Sequence, residues 1–92
     1  MSLVTRYGGS TENGHEVELE FDQSKIVLNT ARLHVDGREV DSERIVYGAR
    51  ELSTSLPDGT EILVELHSGM VGELTRAQLR TGNGSWVDLV QQ

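Results

Sequence analysis

Hydrophobic and polar residues alternate along much of this chain with a period of two. Across His15–Asp22, Val17, Leu19 and Phe21 fall on one side and Glu16, Glu18 and Glu20 on the other. That is the pattern of a strand with one buried and one wetted face. Glu61–His67 repeats it, with Ile62, Val64 and Leu66 facing inward. Helical spacing is scarce. Its best stretch, Ser42–Leu52, is interrupted by Val46, Tyr47 and Gly48, and the β-branched residues there favour strand. The pattern predicts eight strands, near 3–7, 15–22, 25–35, 38–46, 50–56, 60–67, 70–81 and 85–90.

Turn chemistry separates these runs. Gly8-Gly9-Ser10-Thr11-Glu12-Asn13-Gly14 reads as a mobile loop. Asp36-Gly37 signals a two-residue hairpin, because a type I′ turn holds both central residues at positive φ. Pro57-Asp58-Gly59 suits a type I turn closed by a glycine bulge, and Gly82-Asn83-Gly84 a three-residue loop. The first hairpin specifies a register in which Val35 pairs with Arg38. Leu33 then faces Val40 on one side, while His34 faces Glu39 and Arg32 faces Asp41 on the other.

The two halves resemble each other. Glu16-Val17-x-Leu19-Glu20-Phe21 matches Glu61-Ile62-x-Val64-Glu65-Leu66, and Ala31-x-Leu33 matches Ala77-x-Leu79. Gly37-Arg38-Glu39-Val40-Asp41 matches Gly84-Ser85-Trp86-Val87-Asp88. In the second hairpin a three-residue loop pairs Leu79 with Val87 and Ala77 with Leu89, both pairs facing the core. The expected fold is one all-β domain, an antiparallel β-sandwich of about eight strands. It is built from two similar four-stranded halves, an internal repeat of residues 1–46 and 47–92. A small β-barrel is the alternative, since closure removes exposed edges.

Composition narrows the function classes. The 92 residues contain no cysteine, which removes disulfides, thiolate metal sites and a cysteine nucleophile. No stretch approaches the apolar length of a membrane span, and the N-terminus lacks the pattern of a signal peptide, so a cytoplasmic location is expected. A net charge of −7 repels a phosphate backbone, so no nucleic-acid partner is expected. Lys25 is the only lysine.

Candidate chemistry is sparse. His15, His34 and His67 lack the close spacing of a metal motif, and His15 and His67 lie at opposite ends of equivalent strands. Carboxylates two residues apart along Glu16, Glu18 and Glu20 sit about 7 Å from one another, within the range of glycosidase acid/base pairs. They read better as a solvated sheet face with arginine partners on the next strand. No loop carries the dense Asp/Asn ladder of a calcium site, and no serine sits in a nucleophile elbow. The glycine-rich segments join strands and open no helix, so they read as turns without a phosphate cradle. No catalytic residue, cofactor or metal is expected.

Trp86 is the side chain that stands out. The register that buries Val87 and Leu89 puts it on the opposite face, beside Arg80 and close to Asp88, the composition of an interface hot spot. Tyr7, Tyr47 and Met70 are candidates to extend this patch. Gly14–Phe21 followed by Val35–Glu39 resembles the β-sandwich repeats of Fas apoptotic inhibitory molecule proteins over about a third of the chain. The shared residues are general strand-and-turn patterns, and no membership is assigned on them. The expected function is a non-catalytic protein-interaction or assembly module working through a sheet face or edge strand. Its candidate partner-binding residues are Trp86, Arg80 and Asp88, and its partner is another protein or a second copy. The alternative is a small-molecule or carbohydrate-binding sandwich that stacks sugar on Trp86.

Overall fold

A computed structural model describes residues 4–23, 29–45, 48–69, 74–80 and 84–92. Among them are nine strands: β1 (Val4–Ser10), β2 (Glu16–Asp22), β3 (Asn29–Val35), β4 (Arg38–Ile45), β5 (Gly48–Ser55), β6 (Glu61–Ser68), β7 (Leu74–Arg80), β8 (Trp86–Asp88) and β9 (Val90–Gln91). They form two antiparallel sheets, ordered β4-β3-β2-β1-β9 and β5-β6-β7-β8. Each half of the chain is thus a four-stranded meander, and the two meanders stack as a sandwich. Residues 3, 25–28, 46, 70–73 and 81 of the expected strands, and loop residues 82–83, lie outside the described residues.

Alternation builds the core. Val17, Leu19 and Phe21 of β2 and Ala31, Leu33 and Val35 of β3 are buried on one sheet. Leu52 of β5, Ile62, Val64 and Leu66 of β6, and Ala77 and Leu79 of β7 meet them from the other. Ile45 and Leu89 complete the cluster. After the exposed Glu16 and Glu61 that open β2 and β6, the central strands β2, β3 and β6 alternate buried and half-buried residues, as period-two patterning requires.

The turns follow their chemistry. Asp36 and Gly37 adopt φ of 52° and 82°, the left-handed pair of a type I′ turn, and Val35 pairs with Arg38 as expected. In the β5–β6 hairpin the Leu56 N–H bonds the Thr60 carbonyl at 2.8 Å and Gly59 bonds Leu56 at 3.0 Å. That is a type I turn closed by a bulged glycine. The β1–β2 turn repeats it: Thr11 bonds His15 at 2.9 Å and Gly14 bonds Thr11 at 3.1 Å.

Four expectations are corrected. Gly8, Gly9 and Ser10 are not loop but the end of β1, paired with Glu18, Val17 and Glu16. Glycine is required there by close packing: a Cβ on Gly9 meets Leu89 Cδ2 at 2.8 Å. The register of the first hairpin holds for His34 and Glu39 and then shifts, so that Leu33 opposes Asp41 and Arg32 opposes Ser42. Val40 is the extra residue of a β-bulge, which turns Asp41 to the other face. Its Oδ2 accepts the Ser53 N–H of β5 at 2.9 Å, across the gap between the sheets. The expected strand at 85–90 divides at Leu89, because the chain leaves β7 there and crosses to pair Val90 with Gly8 and Gln91 with Tyr7. Val87, expected in the core, is 49% exposed, because β8 is a short edge strand with no neighbouring strand beyond it among the described residues.

Candidate functional site

Strand β8 carries the expected patch. Arg80 and Trp86 are cross-strand partners, as are Gln78 and Asp88. Leu89 donates its N–H to the Ala77 carbonyl at 2.9 Å, which sets the phase of the ladder. Alternation then points the backbone N–H and C=O of Trp86 and Asp88 away from β7, toward the open edge. Trp86 is 40% exposed, next to the exposed Val87. The Asp88 carboxylate accepts the Gln78 amide at 2.9 Å and so stays on the sheet face. No carboxylate pairs with Arg80 among the described residues, and its guanidinium reaches beneath Gly84. Tyr7 packs at the margin of the core, and Tyr47 and Met70 lie outside the described residues.

Arg80 also borders an open depression of about 1010 Å³, together with Asn13, Ser53, Ser55, Thr60 and Glu61. Trp86 is not among its lining residues.

A second cluster escaped the sequence reading. His15 Nδ1 lies 2.7 Å from Asp36 Oδ2 and its Nε2 lies 2.8 Å from Asp58 Oδ2. Ionised carboxylates only accept hydrogen bonds, so this arrangement favours the protonated ring, in which both nitrogens donate. The two bonds hold the His15 pKa above its usual 6.5, the Asp36 bond contributing most. The same contact lowers Asp36, and pulls Asp58 down to about 2. Both ring nitrogens are thus engaged by carboxylates.

This cluster ties three turns at one end of the sandwich. Asp36 sits in the β3–β4 turn and also accepts the Glu16 N–H at 2.9 Å. Asp58 sits in the β5–β6 turn and accepts the Thr60 N–H at 2.9 Å. Asn13 of the β1–β2 turn donates to Thr60 Oγ1 at 2.7 Å. Positions 13 and 58 are equivalent in the two hairpins, as are 15 and 60, so Asn13–Thr60 and His15–Asp58 are one contact made in both directions. That reciprocity is the mark of a two-fold relation. The available signal was three turn motifs; what sequence could not show is that they meet.

The remaining histidines are apart. His34 pairs in register with Glu39, but its Nε2 is buried without a hydrogen bond, 3.9 Å from Glu20. His67 bonds Glu65 on the far end of β6 at 2.7 Å. Two members of the β2 glutamate stripe are ion-paired: Glu20 takes Arg6 at 3.3 Å and Arg32 at 2.9 Å, and Glu18 takes Arg6 at 3.4 Å. Among the described residues no group of three or more His, Asp or Glu side chains is arranged to hold a metal. No described helix is long and apolar enough to cross a membrane. No protein-family model matches this chain, and neither a curated protein nor a solved structure does.

Proposed function

We propose that this chain is a non-catalytic protein-interaction module that binds through β8 and the adjoining outer face of its sheet. The observation that supports this reading is the pairing of Trp86, exposed on an edge strand, with Arg80, which has no carboxylate partner among the described residues. Edge strands recognise extended segments by main-chain hydrogen bonds, and an aromatic–arginine pair supplies the anchoring side chains. Trp86→Ala and Arg80→Ala test it, with light scattering reading association and thermal unfolding reading stability. Both variants are expected to weaken association while Tm stays within a few degrees of wild type. If association persists unchanged in both, the patch is not the interface.

The open depression favours a second reading, a polar small molecule such as a carbohydrate. Trp86 fluorescence separates the two. Under this reading, emission shifts as oligosaccharide is added, since Trp86 neighbours Arg80 at the rim; under the first it does not respond.

A further inference from the structure

Resting on the proposed reading of β8, we infer that the partner presents a carboxylate side chain and that Arg80 is the residue that selects it. The two halves differ at this point. On the outer face of the first half, acid stands opposite base: Glu18 opposes His34 and Glu20 opposes Arg32. Arg32 is held by Glu20 at 2.9 Å, by Asp22 at 3.5 Å and by Glu39 at 3.6 Å. The second half carries Leu63 in the place of Glu18 and Arg80 in the place of His34. The ladder that sets Val64 opposite Leu79 and Glu65 opposite Gln78 therefore puts Leu63, and no acid, beside Arg80.

The acids of the same face leave Arg80 alone. Glu65 bonds His67 at 2.7 Å, and Asp88 accepts the Gln78 amide at 2.9 Å. Glu12 and Glu61 line the depression that Arg80 borders, yet neither pairs with it among the described residues. Thr81, Gly82 and Asn83, next in sequence, carry no carboxylate. Arg80 is thus a cation set between two apolar side chains, Leu63 on one side and Trp86, its cross-strand partner, on the other.

A carboxylate suits this setting better than other anions. A guanidinium offers a planar fork of N–H donors that a carboxylate fills with two parallel bonds. Leu63 and Trp86 thin the water around such a pair, and attraction between the charges grows as the local dielectric falls. A dianionic phosphate would face Glu12 and Glu61 with a single arginine to balance it. The source is an extended segment, because the backbone groups of Trp86 and Asp88 point to an edge with no further strand among the described residues. A segment residue hydrogen-bonded to Trp86 lies on Trp86's own face. Its backbone is two strand spacings, about 10 Å, from Arg80, a span that an arginine and a glutamate side chain bridge between them.

Two blocked strand peptides test this, one with a central glutamate between valines and the other with glutamine in its place. NMR reads binding from the amides of residues 86–88 and the Trp86 indole N–H. The glutamate peptide is expected to bind about tenfold more tightly than the glutamine peptide, and to lose that advantage in Arg80→Gln. Leu63→Glu is the sharper variant. It supplies within the chain the carboxylate that Glu18 supplies in the first half, and should bring the glutamate peptide down to the glutamine level. Raising the ionic strength should narrow the difference, and Trp86→Ala should weaken both peptides. A glutamate peptide that keeps its advantage in Arg80→Gln or in Leu63→Glu overturns the inference. If both peptides shift residues 86–88 equally, the β8 interface stands and the carboxylate inference falls. If neither does at millimolar concentration, both fall together. Free glutarate binding as tightly as the glutamate peptide also overturns it, by assigning Arg80 to a small acid.

Discussion

His15 illustrates how one side chain gains meaning from its surroundings. As a lone histidine at the start of a strand it has no evident role; between two aspartates it joins three turns. The sign of its pH dependence follows from the shifts. A histidine with a raised folded pKa contributes fully below 6.5, and that contribution is lost as pH rises through the folded value. The aspartates contribute above 3.8 and lose their share as pH falls, for Asp58 toward about 2. The bridge is therefore strongest in mildly acidic solution and loosens on the alkaline side. An NMR titration of the imidazole is expected to give a midpoint above 6.5, returning toward 6.5 in Asp58→Asn. A wild-type midpoint at or below 6.5 contradicts the bridge. Trp86 makes the opposite case, since parity along 86–89 already set it apart from Leu89. Exposure of Val87 was not legible, because parity says which face a residue takes but not whether that face is covered.

Elements were read more reliably than their junctions. Period-two patterning located the strands, and Asp36-Gly37 gave the first hairpin its turn type. That turn carries its own prediction. Nothing lies within 4 Å of a Cβ built on Gly37, so Gly37→Ala meets no clash and its effect is backbone strain at φ 82°. Chemical denaturation should show a loss of about 1–2 kcal/mol. The bulge at Val40 was not legible. Local pairing of Arg32 with Asp41 looked favourable, and what overrides it is a tertiary demand, the cap on Ser53 from the other sheet. Likewise Gly8-Gly9 has loop composition, yet it is strand because Leu89 and the Gln92 side chain lie over it.

For the molecule as a whole, the likeness between halves anticipated the architecture: two meanders of four strands facing one another. It did not anticipate how they are joined at the β8 side. There Leu89 is buried against Gly9, and the two residues beyond it become the fifth strand of the opposite sheet. Gly9→Ala probes this closure. Its methyl must displace Leu89 and also comes within 3.9 Å of Leu79 Cδ2, so a loss of about 1–3 kcal/mol is expected by denaturant unfolding. A change below half a kilocalorie would show that Leu89 shifts freely and that the seam is loosely packed. The closure also bears on how the chain folds. Hairpins within each meander form from near neighbours in sequence and can assemble early. The β1–β9 pair joins the two most distant strands, so its loop-closure entropy is recovered only after both meanders are in place. Until then β1 is an unpaired edge. The last contact to form is the one that hides it, and the folding time of this chain is the period during which that edge is available to other chains.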